Sequence, residues 1–116
     1  MKRDIKILLE DILENIDLIE KSANKINKEA FLKDRLLQDA TVRRLEIIGE
    51  AAKNIPKNTK EKYPEIEWKK VVGTRDIIIH AYFSVDLDIV WDIMKKDLQD
   101  LKKKISRIKE EFDAKS

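Results

Sequence analysis

The chain has no cysteine in its 116 residues, and only two prolines, two glycines and one histidine. Without cysteine there is neither a disulfide framework nor a thiolate metal site, and the composition suits a reducing cytoplasm, the location expected from it. So few prolines and glycines leave few places where a helix is forced to stop. Long apolar runs are missing too. The opening stretch "MKRDIKILLEDILENID" sets a charge between apolar residues every three or four positions, so nothing approaches a signal segment or a membrane span, and no membrane association is expected. Charge of one sign is also lacking: 25 basic residues against 23 acidic ones leave a formal net charge of +2. Such a balance does not by itself draw in nucleic acid, so any RNA contact has to come from local arrangement.

What is present is 42% hydrophobic and 41% charged residues, the composition of amphipathic helices. A chain of this length makes one domain, residues 1–116, able to bury a single core. Ile5, Leu8, Leu9, Ile12, Ile16 and Ile19 share one stripe and predict a helix over about residues 3–22. "SANKIN" then favours a turn. Phe31, Leu32, Leu36, Leu37, Ala40, Leu45, Ile48, Ala52 and Ile55 predict one long helix from Glu29 to Asn54, with a kink allowed near Lys33 to Arg35. Gly49 inside it is either a tolerated glycine or a point where another backbone comes close. "PKNTKEKYPEIEW" reads as a loop holding at most one helical turn near Thr59 to Lys62, and Glu67 to Val72 as another short turn packed through Trp68 and Val71. After Gly73, Thr74 is placed to cap a new helix. Ser84 and Asp86 can cap a last one carrying Leu87, Val90, Trp91, Met94, Leu98, Leu101, Ile105, Ile108 and Phe112. The expected fold is all-α, an up-and-down bundle of four to five helices.

One stretch, "GTRDIIIHAY" from Gly73 to Tyr82, mixes packing residues with chemistry. On a helix, Asp76 and His80 lie one turn apart on the same face, where a carboxylate can orient the imidazole and favour its charged form. Arg75 sits roughly 140° around the axis from His80. Ile77, Ile78 and Ile79 fill the remaining directions. Spacing alone fits a histidine satisfied within the structure as well as it fits a catalyst.

The wider stretch "GTRDIIIHAYFSVD" resembles the R-x-x-x-x-H-x-Y signature of HepT-like proteins of the HEPN superfamily. "LLQDATVRRLEIIGEAAKNIP", "EKYPEIEWKKVVGTRD" and "VDLDIVWDIMKKDL" resemble, in order, that family's long second helix, connecting segment and last helix, so the likeness covers nearly the whole chain. The resemblance implies a HEPN-like all-α homodimer acting as a ribonuclease toxin, paired with a minimal nucleotidyltransferase (MNT) antitoxin. Carried over by matching positions, Arg75 and His80 are the catalytic pair, Asp76 is the polar residue beside the arginine, and Tyr82 is the tyrosine that the antitoxin adenylylates. It also implies catalysis without a metal or other cofactor, in keeping with the absence of a His and Cys cluster.

The residues suit that chemistry. Cleaving RNA without metal needs a base for the 2′-OH proton, an acid for the leaving 5′-oxygen and positive charge for the transition state. An unperturbed imidazole has a pKa of about 6.5, which suits His80 to proton transfer, and Arg75 offers a fixed fork of donors to a phosphate. One histidine does not readily act as both base and acid, so a composite site at a two-fold dimer axis is expected. Lys69 and Lys70, close in sequence to Arg75, are candidate phosphate contacts. The run Lys102, Lys103, Lys104, Arg107 and Lys109 fits the solvated face of a helix, and Arg43 and Arg44 with Glu46 fit pairs within the helix or between subunits. Two other readings of the same residues are a non-catalytic helical partner of a nucleotidyltransferase and a structural helical dimer.

Overall fold

The computed structural model describes residues 4–74 and 86–115. Among them every regular element is helical: α1 (Ile5–Ala23), α2 (Lys28–Lys33), α3 (Arg35–Asn54), α4 (Lys57–Lys62), α5 (68–74), α6 (Leu87–Asp92), a π turn (Ile93–Asp97) and α7 (Leu98–Lys115). None of these helices is long and apolar enough to cross a membrane.

Ion pairs and hydrogen bonds fix the directions. Lys6 Nζ lies 2.9 Å from Asp113 Oδ1 at one end of α1, and Lys102 Nζ lies 2.9 Å from Asp17 Oδ1 and 3.1 Å from Glu20 Oε2 at the other. Helices α1 and α7 are therefore antiparallel. A cleft bordered by Leu8 and Asp11 of α1 and by Ala51 and Asn54 of α3 sets the start of α1 beside the end of α3, so this pair is antiparallel as well. Just ahead of α5, the Tyr63 hydroxyl donates to Glu111 Oε2 at 2.6 Å, a bond that pushes the phenol pKa up to about 12. Beyond it, Lys70 comes within 3.9 Å of Asp97, so α5 runs opposite to α7. The result is the expected up-and-down bundle, with α1, α3, α5 and the α6–α7 rod as its four arms. That rod of 29 residues, at 1.5 Å each about 43 Å, accounts for the 45 Å long axis.

The core is a stripe from each arm: Leu8, Leu9, Ile12, Ile16 and Ile19 of α1, Leu45, Ile48 and Ala52 of α3, and Leu98, Leu101, Ile105 and Ile108 of α7. Asp4 caps α1 by accepting from the Lys6 N–H at 2.9 Å, and Asn27 caps α2 by accepting from Ala30.

Three expectations need correction. The helix predicted from Glu29 to Asn54 is two helices, because Asp34 adopts an extended backbone (φ −107°, ψ 92°) and its side chain accepts from the Leu37 N–H at 3.0 Å to start α3. The Gln38 amide donates to the Phe31 carbonyl at 2.8 Å across the break. The new phase buries Phe31 completely against Trp91, with ring centroids 5.4 Å apart, and turns Leu32 and Leu36 outward, Leu36 being 83% exposed. Ala40 is exposed too.

Secondly, Gly73 and Thr74 do not start a helix. Both lie within α5, and the Thr74 hydroxyl donates back to the Lys70 carbonyl at 3.0 Å; the helix it is expected to cap lies outside the described residues. Thirdly, the last helix is interrupted: the Leu98 N–H bonds to the Ile93 carbonyl five residues back, and the wide turn lets both Ile93 and Met94 reach the core. Asp86 does cap this helix, accepting from Ile89 at 3.4 Å, while Ser84 lies outside the described residues.

Among the described residues, a Cβ added at Gly73 would meet nothing within 4 Å. A glycine in helical conformation with open space beside it costs stability, so Gly73→Ala is expected to raise the urea midpoint, by about 0.4–1 kcal/mol in unfolding free energy.

Candidate functional site

Arg75, Asp76, His80 and Tyr82 lie outside the described residues, so the structure places the frame on either side of them. That frame is α5, described as far as Thr74, the residue bonded to Arg75, and α6, whose cap is Asp86. Helix α5 is seated in the groove between α3 and α7. Trp68 and Val71 pack against the core, as their spacing predicts, and the Trp68 indole N–H donates to the Tyr63 carbonyl at 3.1 Å. The exposed side of α5 carries Lys69 and Lys70.

Where α5 meets the π turn the packing leaves an open cavity of about 230 Å³. Its floor is aliphatic, with Leu45 and Ile48 of α3, Val71 of α5, and Ile93 and Leu101 from the rod; Thr74 borders it at the end nearest Arg75. Lys70, Lys96 and Lys104 stand at the rim with Glu67, Asp97 and Asp100. Lys104 is held by Asp100 at 2.8 Å, and Lys70 is shared loosely between Glu67 and Asp97 at 3.9 Å each. Lys96 is exposed and makes no ion pair among the described residues. Its neighbour Lys95 is engaged instead, its ammonium 5.4 Å from the centre of the Trp91 ring.

The two sequence candidates on α5 are thus separated: Lys70 lines the cavity and Lys69 does not. Lys96 was missed by sequence reasoning because its position follows from the π turn, which leaves the three- and four-residue spacing of Trp91, Met94, Leu98 and Leu101 unbroken. The basic run of α7 is largely spent on structure: Lys102 clamps α1, where its bonds to Asp17 and Glu20 raise its pKa, and Lys109 pairs with Asp113 at 2.9 Å. Arg43 pairs with Glu46 at 3.5 Å, three residues on in the same helix.

The family model described as "Ribonuclease HepT-like" matches residues 12–108, a span that includes both the cavity and the Arg75 to Tyr82 segment. A protein of Thermococcus cleftensis named "Probable ribonuclease HepT" is 48% identical over 109 residues, which are 94% of this chain and 99% of that one. A "Gamma-glutamylcyclotransferase and putative RNase" of Methanocaldococcus jannaschii is 48% identical over 113 residues, 97% of this chain; the chain spans 51% of that longer relative. A "Putative RNase" of the same organism is 43% identical over 114 residues, covering 98% of this chain and 94% of its own length. No solved structure matches the chain significantly. With a family match over most of its length and relatives of nearly the same extent, the chain belongs to the ribonuclease HepT-like family.

Proposed function

We propose that this chain is the toxin of a HEPN/MNT toxin–antitoxin pair, a metal-independent endoribonuclease whose site is built by Arg75 and His80 of two copies of the chain. The observation that carries this reading is the match to the ribonuclease HepT-like family across the segment that holds the chain's only histidine. The described frame supports it through Lys96, an exposed lysine paired with no carboxylate among the described residues, on the rim of a cavity that the residue preceding Arg75 borders, although Glu67, Asp97 and Asp100 share that rim with Lys70 and Lys104.

Each copy contributes one imidazole and one guanidinium. One His80 takes the proton of the 2′-OH as that oxygen attacks phosphorus, and its mate gives a proton to the departing 5′-oxygen. The Arg75 forks stabilise the charge that builds on the non-bridging oxygens. Asp76, four residues before His80 in the sequence, orients the ring. Lys70 contributes to holding the phosphate backbone, and Lys69, on the exposed side of α5, extends the same basic edge. The products are a 2′,3′-cyclic phosphate and a 5′-hydroxyl. Adenylylation of Tyr82 by the antitoxin adds a phosphodiester charge and the bulk of a nucleotide two residues from His80, and both oppose the binding of RNA.

Cleavage of a labelled RNA panel in EDTA tests the reaction. The native chain is expected to leave 2′,3′-cyclic ends, and His80→Ala to lose about 10²–10⁴-fold in rate with its dimer content and fold unchanged. Loss of the dimer in His80→Ala, or cleavage that continues at the native rate, contradicts the catalytic assignment. A second experiment tests the switch. Co-produced with a nucleotidyltransferase encoded beside it, the native chain is expected to gain the mass of adenylyl groups and fall silent, whereas Tyr82→Phe stays unmodified and active; a silenced, modified Tyr82→Phe contradicts the role of Tyr82.

A further inference from the structure

The cavity between α3, α5 and the π turn is a second feature of this surface, and the reaction as written uses only Lys70 of its lining. Three observations bear on its purpose. Its floor is aliphatic, with Leu45 and Ile48 only 1% and 3% exposed beneath half-buried Val71, and above it stands a space of about 230 Å³ that the packing of a small core ordinarily closes. One wall is the π turn, a wide turn that interrupts the hydrogen-bond ladder of an otherwise continuous rod and that recurs at functional sites. That turn supplies Lys96 to the rim, the one lysine of the three there that no carboxylate among the described residues holds.

We propose that this cavity is a base-binding subsite for single-stranded RNA: one unpaired base lies against Val71, Ile93 and Leu101, the more accessible of the aliphatic lining, and the adjoining phosphate is held by Lys96 with Lys70. At about 230 Å³ it is smaller than the roughly 300–1,000 Å³ of pockets that enclose drug-sized ligands, a size suited to one flat ring with its sugar and phosphate left outside. Aliphatic walls accept either face of a base. The Asp97 and Asp100 carboxylates at the rim are acceptors for the exocyclic amino group of adenine, guanine or cytosine. A paired base cannot enter, because its edge and both faces are occupied in the duplex, so the subsite selects unpaired RNA. Thr74, at the border of the cavity, is the residue before Arg75, so a strand seated here continues toward the proposed cleavage site.

This inference rests on the ribonuclease reading, and the test separates the two. The probe is a fluorescent 2′-O-methyl oligoribonucleotide of mixed sequence, which has no 2′-OH to attack, titrated by anisotropy against the full chain. Lys96→Glu and the cavity-filling Val71→Phe are each expected to weaken binding about tenfold, while Lys115→Glu, an equal charge change at the far end of α7, changes it less than twofold. The duplex of the same sequence is expected to bind the native chain at least tenfold more weakly. Thermal melts confirm that each variant is folded, and should Val71→Phe unfold, Lys96→Glu against Lys115→Glu decides alone. Equal effects of Lys96→Glu and Lys115→Glu, or equal binding of duplex and single strand, overturn the subsite. With unmodified RNA, native cleavage kinetics in Lys96→Glu overturn the subsite and leave the ribonuclease reading standing. Selective loss of probe binding in a chain that cleaves no RNA sustains the subsite and removes that reading.

Discussion

The bundle depends on the burial of one stripe. Leu8, Leu9, Ile12, Ile16 and Ile19 of α1 are at most 2% exposed, and burying each contributes about 1.5–3 kcal/mol. Because α1 packs against both α3 and α7, these two helices flank it and run parallel to each other, leaving a groove between them. Helix α5 takes that groove with no side chain fully buried, Trp68, Val71 and Val72 being half-buried and Lys69 and Lys70 exposed. The arm that leads into Arg75 is thus the shallowest seated, and its seat leaves the aliphatic cavity open beside the site.

The same division of labour holds for charge. A chain with 25 basic residues has many candidates for an RNA contact, yet geometry removes most of the informative ones on α7. Lys102 bridges to two carboxylates of α1, and Lys104 and Lys109 pair four residues back and four residues on. Lys6 and Lys109 share Asp113, whose pKa is lowered by both, Lys6 most. Next to the point where the Arg75 segment begins, the exposed lysines are Lys69 and Lys70 of α5 and Lys96 of the π turn. Net charge near neutrality therefore leaves a nucleic-acid surface to local arrangement, and at the cavity rim three lysines stand beside three carboxylates.

Much of this was legible in the sequence. The stripes of α1 and α7 recur every three or four residues and emerge as buried faces. Where the periodicity failed, a local hydrogen bond outweighed it. Asp34 offers its carboxylate to the Leu37 N–H and splits a helix whose apolar positions look continuous, so Leu36 turns to solvent. Thr74 has the residue type of an N-cap, but its hydroxyl satisfies the Lys70 carbonyl within α5. The π turn has no signature in residue types, because an added residue in one turn leaves the buried spacing intact, and with it went any sign of Lys96. The site residues themselves came from motif resemblance; spacing alone left His80 equally suited to a structural role.

The central claim is that RNA lies over α5 and the π turn beside the Arg75 segment. The most direct test is photocrosslinking of an RNA containing 4-thiouridine to the full chain, with the attachment sites mapped by peptide mass spectrometry. The account predicts crosslinks concentrated between residues 66 and 101. Crosslinks confined to the lysine-rich face of α7 beyond residue 102, or spread evenly over the surface, would contradict it.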